Sequence, residues 1–319
     1  MTNTTDNRSR IILDCDPGYD DAVAIMLAAG SPKIEVLAIT TVAGNQSIEK
    51  VTKNALRLAA AAGLTTIPVA QGARRPLLKE VKVCPEIHGE TGLDGTSLSD
   101  AYNAEQLDDR PAAQLIVDII MREPPKTVTL VPTGPLTNIA LAVRLEPRIV
   151  ERVKEVVLMG GGVGIGNVKP YAEFNIENDP EAAAIVFGEP WKVVMVGLDL
   201  TYQARAVQAV RDRMLAAGTH AAKLVYEILE AFGAKYRAAR GLDAPPLHDP
   251  CAVAHVIDPD CVKAVAMPIA VETRGELTAG MTVADRRRPA PEGCHTFAAM
   301  TLDEERLWSM LEDALKRLP

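Results

Sequence analysis

Ile11-Ile12-Leu13-Asp14-Cys15-Asp16-Pro17-Gly18-Tyr19-Asp20-Asp21-Ala22 places four carboxylates within eight positions, after an apolar run and before a helical pattern. Ile11–Asp16 has the Ile/Leu enrichment of a short buried strand. On such a strand Asp14 and Asp16 face the same side. Pro17-Gly18 breaks it, and Asp20 and Asp21 then fall in the first turn of a helix running to Ala29. Acids there meet the positive end of the helix dipole. Like charges held this close either shift their pKa values or take a cation among them. The simplest expectation is an oxygen-lined metal site at a strand end. The plainer alternative is a solvated acidic turn that caps a helix. The cost of bare charge on a buried strand argues against it.

Outward from this stretch, strand and helix alternate. Ile34–Thr41 reads as a strand, 47–62 as a helix and Ile67–Ala70 as a strand. This order implies parallel pairing with right-handed crossovers. Gln71 to about Arg110 is rich in Gly, Pro and charge, and it is expected to be a loop that covers a site. Ala112–Arg122 is a helix and Thr127–Pro132 a strand, with Thr133–Asn138 turning into the next helix. Val153–Met159 is a strand ending in Gly160-Gly161-Gly162, a run without the Walker pattern of a phosphate loop. Asn178-Asp179-Pro180 opens a helix, and Lys192–Val196 is a strand. Two helices interrupted near Gly218 fill 207–240, and His248-Asp249-Pro250 opens another. Val262–Glu272 and Leu277–Asp285 are expected to be a strand pair, with a third strand at His295–Thr301 and a closing helix over 303–318. No internal repeat, low-complexity tract or linker divides the chain. The expectation is an α/β fold with a mainly parallel central sheet flanked by helices, residues 11–319 forming one domain behind a loose tail of residues 1–10.

The 319 residues are 48% hydrophobic but only 4% aromatic, which requires an aliphatic core. A formal net charge of -8 argues against a nonspecific nucleic-acid or anionic-membrane binder. No apolar run reaches membrane-spanning length, and the polar first ten residues lack the apolar centre of a signal peptide. Five cysteines stand far apart without a Cys-x-x-Cys pair. They fit free thiols in a reducing cytoplasm.

Polar residues just beyond strands would converge on one end of such a sheet. They are Asp14, Asp16, Asp20, Asp21, Asn45, Thr133, Asn167, Glu173, Asn175, His248 and Asp249. Carboxylate, carbonyl and amide oxygens favour a hard cation, and many flexible oxygen ligands suit Ca²⁺ better than Mg²⁺. Each of the later residues also has a bland reading. Asp249 can simply serve a helix start, Glu173 and Asn175 can belong to a loop, and His88 can lie on a loop surface.

In order along the chain, Asp14–Asp21, Val42-Ala-Gly-Asn45, Thr133–Asn138, Leu158-Met-Gly-Gly161, Glu173-Phe-Asn175 and His248-Asp-Pro250 resemble the sequence blocks of the inosine-uridine-preferring nucleoside hydrolases. The resemblance covers nearly the whole chain. It implies a tightly held Ca²⁺ and hydrolysis of the N-glycosidic bond of ribonucleosides to ribose and free base. It also implies that Asp16, Asp21 and Asp249 bind the ion through side chains and Thr133 through its carbonyl, with Asp16 the general base. Asp20, Asn45, Glu173 and Asn175 would hold ribose hydroxyls, and Met159 and Asn167 would line the sugar pocket. His248 would serve the leaving base, with Tyr236 and His88 at the substrate. Asp14 is expected to accept hydrogen bonds that orient its neighbours. A homodimer or homotetramer is implied as well.

Purine-specific relatives stack the base between tryptophans. Here Trp191 and Trp308 fall outside the expected mouth loops, so a pyrimidine-preferring or broad inosine/uridine enzyme is expected. Two competing functions are a Ca²⁺-dependent nucleoside- or sugar-binding protein without turnover and a metal-dependent phosphatase with a strand-end Asp-x-Asp. The latter's small residue and Thr after the second Asp are missing, since Asp16 is followed by Pro17-Gly18.

Overall fold

The apolar runs become the strands of a nine-stranded sheet in the computed structural model, which describes residues 8–319. In chain order the elements are β1 Ser9–Cys15, α1 Tyr19–Gly30, β2 Ile34–Thr41, α2 Ile48–Ala61, β3 Val69–Gln71, α3 Pro85–His88, β4 Leu107–Asp108, α4 Ala112–Arg122, β5 Val128–Pro132, α5 Thr137–Leu145, α6 Ile149–Arg152 and β6 Glu155–Met159. The second half adds α7 Phe174–Asn178, α8 Pro180–Gly188, β7 Val193–Val196, α9 Leu198–Thr201, α10 Gln208–Leu215, α11 His220–Arg240, α12 Asp249–Ile257, β8 Val262–Ala266, β9 Ile269–Val271, β10 Thr282–Ala284, β11 Thr296–Leu302 and α13 Glu304–Leu315.

The strand order is β4-β3-β2-β1-β5-β6-β7-β11-β8, parallel throughout except for β8 against β11. From β1 the chain first builds outward through β2, β3 and β4, then returns to lay β5 on the other flank. That reversal is a topological switch point, and ligands bind outside the strand ends there. The register keeps those ends level: Cys15 lies opposite Thr41, and Asp14 opposite Pro132. Asp16, Asn45 and Thr133 therefore leave neighbouring strands at the same height.

Each sheet face carries its own aliphatic layer. One side packs Ile11, Leu13, Ile25, Leu229 and Leu311 from the sheet, α1, α11 and α13. The other packs Ile12, Leu130, Ile116, Ile139 and Val186 with α4, α5 and α8. Strands covered on both faces read as continuous apolar runs, as this sequence does.

Three expectations need correction. Ser9 and Arg10 are not tail but the start of β1, paired with Ile34 and Glu35. The Arg10 guanidinium holds Glu35 at 3.1 Å and Glu123 at 2.6 Å, which fixes this end. The rest of the expected tail, residues 1–7, lies outside the described residues. The segment from Gln71 to Arg110 is less irregular than expected: it contains α3, a 3₁₀ turn at Ala104–Gln106 and β4 on the sheet edge. Val262–Glu272 is not one strand. Pro268, which has no N–H for a ladder, separates β8, which joins β11, from β9, which pairs β10 in a small second sheet. Leu277–Asp285 is accordingly reduced to Thr282–Ala284.

Candidate active site

The turn after β1 holds its carboxylates in a web of neutral donors. Asp21 accepts from the N–H groups of Asp16 (3.3 Å) and Gly18 (3.1 Å), from the Thr133 hydroxyl (2.9 Å) and from the Asn45 amide (3.1 Å). Asp16 Oδ2 accepts from Asn45 N–H at 2.6 Å, while its buried Oδ1 meets no donor. Asp20 Oδ1 is likewise buried without a partner. Oxygens of Asp20, Asp21 and Asp249 lie within 4.8 Å of one another, all buried. Burial and mutual repulsion push Asp16 and Asp249 well above the usual carboxylate range, and Asp20 up to about 8. Close backbone approach builds this basin: a Cβ on Gly44 would lie 2.1 Å from Asp16 Oδ2, and one on Gly134 2.7 Å from Oδ1.

Asp14 points away from the basin. Its Oδ1 accepts from the Thr40 hydroxyl at 2.6 Å and the Asn138 amide at 2.8 Å. Asn138 also donates to Thr41 O and accepts from Ala73 N–H. Asp14 thus ties β1 to β2 and to α5.

Opposite the acids, Glu173 ends an irregular stretch and caps α7. Its two oxygens accept from the N–H groups of Asn175, Ile176 and Gly161. Asn175 donates from one amide nitrogen to Thr133 O (2.7 Å) and Met159 O (3.2 Å). The Thr133 carbonyl keeps a second lone pair for another partner. Asn167 accepts from Phe174 N–H at 3.0 Å.

The covering segment closes the third side. His88, buried, accepts at Nδ1 from Tyr19 N–H at 3.3 Å and stacks with Tyr19 and Phe232 at 6.0 and 5.9 Å. Tyr236 meets Phe232 edge-on at 5.7 Å. His248 pairs through Nδ1 with the Thr201 hydroxyl at 2.7 Å, and Tyr202 stands edge-on to its ring at 5.6 Å. Burial lowers the His88 pKa to about 3 and that of His248 to about 4, so both rings are neutral near pH 7.

A cleft brings these groups together. It is lined by all eight expected substrate residues (Asp20, Asn45, His88, Met159, Asn167, Glu173, Asn175 and Tyr236) and by Thr133, His248 and Asp249. Asp14, Asp16 and Asp21 lie beneath it, fully buried. Two contacts add to the expected roles. Asp20, expected at the sugar, also brings an oxygen within 4.8 Å of oxygens of Asp21 and Asp249. The Asn45 amide, also assigned to the sugar, donates to Asp16 O and to Asp21. Cys84, Ile87, Val168, Phe174 and Phe232 line the cleft without having been expected there, and Arg240 joins them. Phe232, Tyr236 and Arg240 recur every four residues, so one face of α11 was legible as a wall. Trp191 and Trp308 are both buried and do not line the cleft.

The sequence profile described as inosine-uridine preferring nucleoside hydrolase matches residues 11–309. The chain belongs to this family. It is 53% identical to an inosine-uridine preferring nucleoside hydrolase of Crithidia fasciculata over 97% of this chain and 98% of that one. Against the Leishmania major protein of the same description the identity is 54%, with the same coverage. A purine-preferring ribonucleoside hydrolase from Gardnerella vaginalis superposes with a TM-score of 0.89 at 31% identity, covering 96% of this chain and 98% of that one. As a nucleoside hydrolase, the chain is an enzyme of ribonucleoside hydrolysis, and its family is metal-dependent in general. The sheet of mostly parallel strands and the acidic basin are the nucleoside hydrolase architecture anticipated from the motifs. No helix of the described residues is long and apolar enough to cross a membrane.

Proposed function

We propose that this nucleoside hydrolase uses Ca²⁺ to cleave uridine and inosine, with adenosine a poor substrate. The observation that carries the metal assignment is the basin itself. Asp20, Asp21 and Asp249 are buried within 4.8 Å of one another, and neighbouring Asp16 Oδ1 has no donor. The donors they do find are neutral N–H and O–H groups, which leave the charge uncompensated. An all-oxygen set of carboxylates with the Thr133 carbonyl beside it fits a hard cation. In this proposal Asp16, Asp21, Asp249 and Thr133 hold the ion. Bound Ca²⁺ supplies Lewis acidity to a water and to the ribose diol.

The chain's own groups do the rest. Asp16 Oδ1 takes a proton from the attacking water. Asp20, Asn45, Glu173 and Asn175 hold ribose hydroxyls, and Met159 and Asn167 shape the sugar pocket. Their oxygens favour the positive charge that grows on the sugar as the C–N bond breaks. The base departs with the bonding electrons and needs a proton or a hydrogen bond. With Nδ1 engaged by Thr201, His248 offers Nε2 for that purpose. Tyr236 and His88 flank the base, and Asp14 steadies the turn.

Base preference rests on the absence of tryptophan from the cleft lining and on the names of the relatives. Besides the two above, a pyrimidine-specific ribonucleoside hydrolase of Shewanella sp. is 42% identical over 96% of this chain. The deciding measurement is kcat/KM for uridine, cytidine, inosine, adenosine and a 2′-deoxy analogue, with and without a chelator. Sugar release lost on Ca²⁺ removal and restored by its return supports the proposal. Adenosine as best substrate would overturn the base preference. Binding without turnover would support a sugar-binding protein instead, and phosphate release from a phosphoester a phosphatase. We further propose one catalytic domain from Ser9 to Pro319, in the cytoplasm, where its five free cysteines stay reduced. We also propose that the chain forms a homodimer or homotetramer, which light scattering would reveal; Leu277, Val265 and Val283 are exposed apolar side chains.

A further inference from the structure

We infer that Asn54 is a positioning residue that fastens the covering loop to the acidic turn, so that seating the loop and setting Asp21 are one event. Asn54 lies on α2, outside the cleft lining, and is 2% exposed. Its single amide nitrogen donates to two carbonyls, Pro17 O at 3.1 Å and Thr91 O at 2.8 Å. Both amide hydrogens are therefore used.

The two carbonyls belong to the two parts of the site. Pro17 C=O and Gly18 N–H are opposite ends of one planar peptide group. The Gly18 end donates to Asp21 Oδ2 at 3.1 Å, so Asn54 sets the plane that aims a donor at this carboxylate. Thr91 C=O belongs to the loop that carries His88. Around it the loop is held by Gln46 on Gly89 O (2.7 Å) and by the Tyr19 hydroxyl on Asp94 O (2.9 Å). The joint is built for contact: Gly92, at φ +90°, would put a Cβ 2.8 Å from the Asn54 amide nitrogen and 3.0 Å from Pro17 O. A Cβ on Gly18 would lie 2.2 Å from His88 Nδ1. No side chain fits between loop and turn at either point.

This coupling rests on the proposed Ca²⁺ site, and its test separates the two. Asn54→Asp keeps the shape but removes both donated bonds and sets a carboxylate against two carbonyls. Ca²⁺ affinity is titrated on chelator-stripped protein, and amide hydrogen exchange of residues 88–94 is followed with and without Ca²⁺. In the wild type, Ca²⁺ should slow exchange in 88–94. In Asn54→Asp the dissociation constant should rise about 10–100-fold, the slowing should disappear, and KM for uridine should rise more than kcat falls. Lys53→Ala, which removes an exposed ion pair to Asp100 in the same loop, should change none of these. Should Asn54→Asp fail to fold, Gly92→Ala replaces it, with the same losses expected. A folded variant with wild-type affinity and wild-type Ca²⁺-linked protection overturns the inference. A wild type that binds no Ca²⁺ overturns the metal assignment instead. The fastening then stands or falls on exchange alone, with 88–94 and the turn 16–21 loosening together in the variant or not.

Discussion

At the scale of single residues, the site depends on who faces whom across the β1 turn. His248→Ala should lower kcat by about 10²–10⁴-fold, most for poor leaving groups. An unchanged kcat on both inosine and uridine would remove His248 from the leaving-group role. Asp14 offers a cleaner structural test. Asp14→Ala strands the Thr40 hydroxyl and the Asn138 amide in a buried site, which costs about 1–3 kcal/mol. A urea midpoint equal to wild type would contradict it. His88 gives a pH signature. Its folded pKa is lowered to about 3 from an ordinary value of 6.5, because burial disfavours the imidazolium. Tyr19 N–H, donating to Nδ1, also demands the neutral ring. The unfolded state therefore binds the extra proton, so this contribution is complete above about pH 6.5 and is lost as pH falls toward 3. Between pH 7 and 4.5, wild type should lose about 2–3 kcal/mol more than His88→Gln. Parallel stability curves for the two proteins would refute this.

At the scale of elements, the acidic stretch was legible because strand, breaker and helix start each have a local cause. The apolar run, Pro17-Gly18 and the first-turn acids all point the same way. The paired roles inside the basin were less legible. That Asp20 also comes close to Asp21 and Asp249 depends on how the turn curls, which spacing does not encode. Nor does sequence show that the N–H groups of the Asn45 amide donate to Asp16 and Asp21. The covering segment was recognisable from composition, but its anchors are long-range: Asp179 accepts from Leu77 N–H, from the Thr137 hydroxyl and from Ala182 N–H at the start of α8. Asp179→Ala should therefore loosen the cover and fray α8 together. The expected outcome is a Tm lower by several degrees and a raised KM for uridine at little changed kcat. A lower Tm with KM untouched would confine Asp179 to the helix start. The C-terminal strands were misjudged because one proline divides them, and their partners lie on different sheets.

At the scale of the whole molecule, the parallel order was readable from the alternation of strand and helix. The place of each strand was not, since hydropathy says nothing about neighbours. β11, made last, lies between β7 and β8, and so fixes β8 to the sheet. That has a consequence in time. A chain growing from its N-terminus presents Asp16, Asp20 and Asp21 early, whereas Asp249 sits on α12, whose following strand β8 finds its sheet partner only when residues 296–302 have emerged. A product of synthesis stalled short of β11 would thus carry β7 as an open sheet edge and β8 without a partner, a ready template for pairing with another chain.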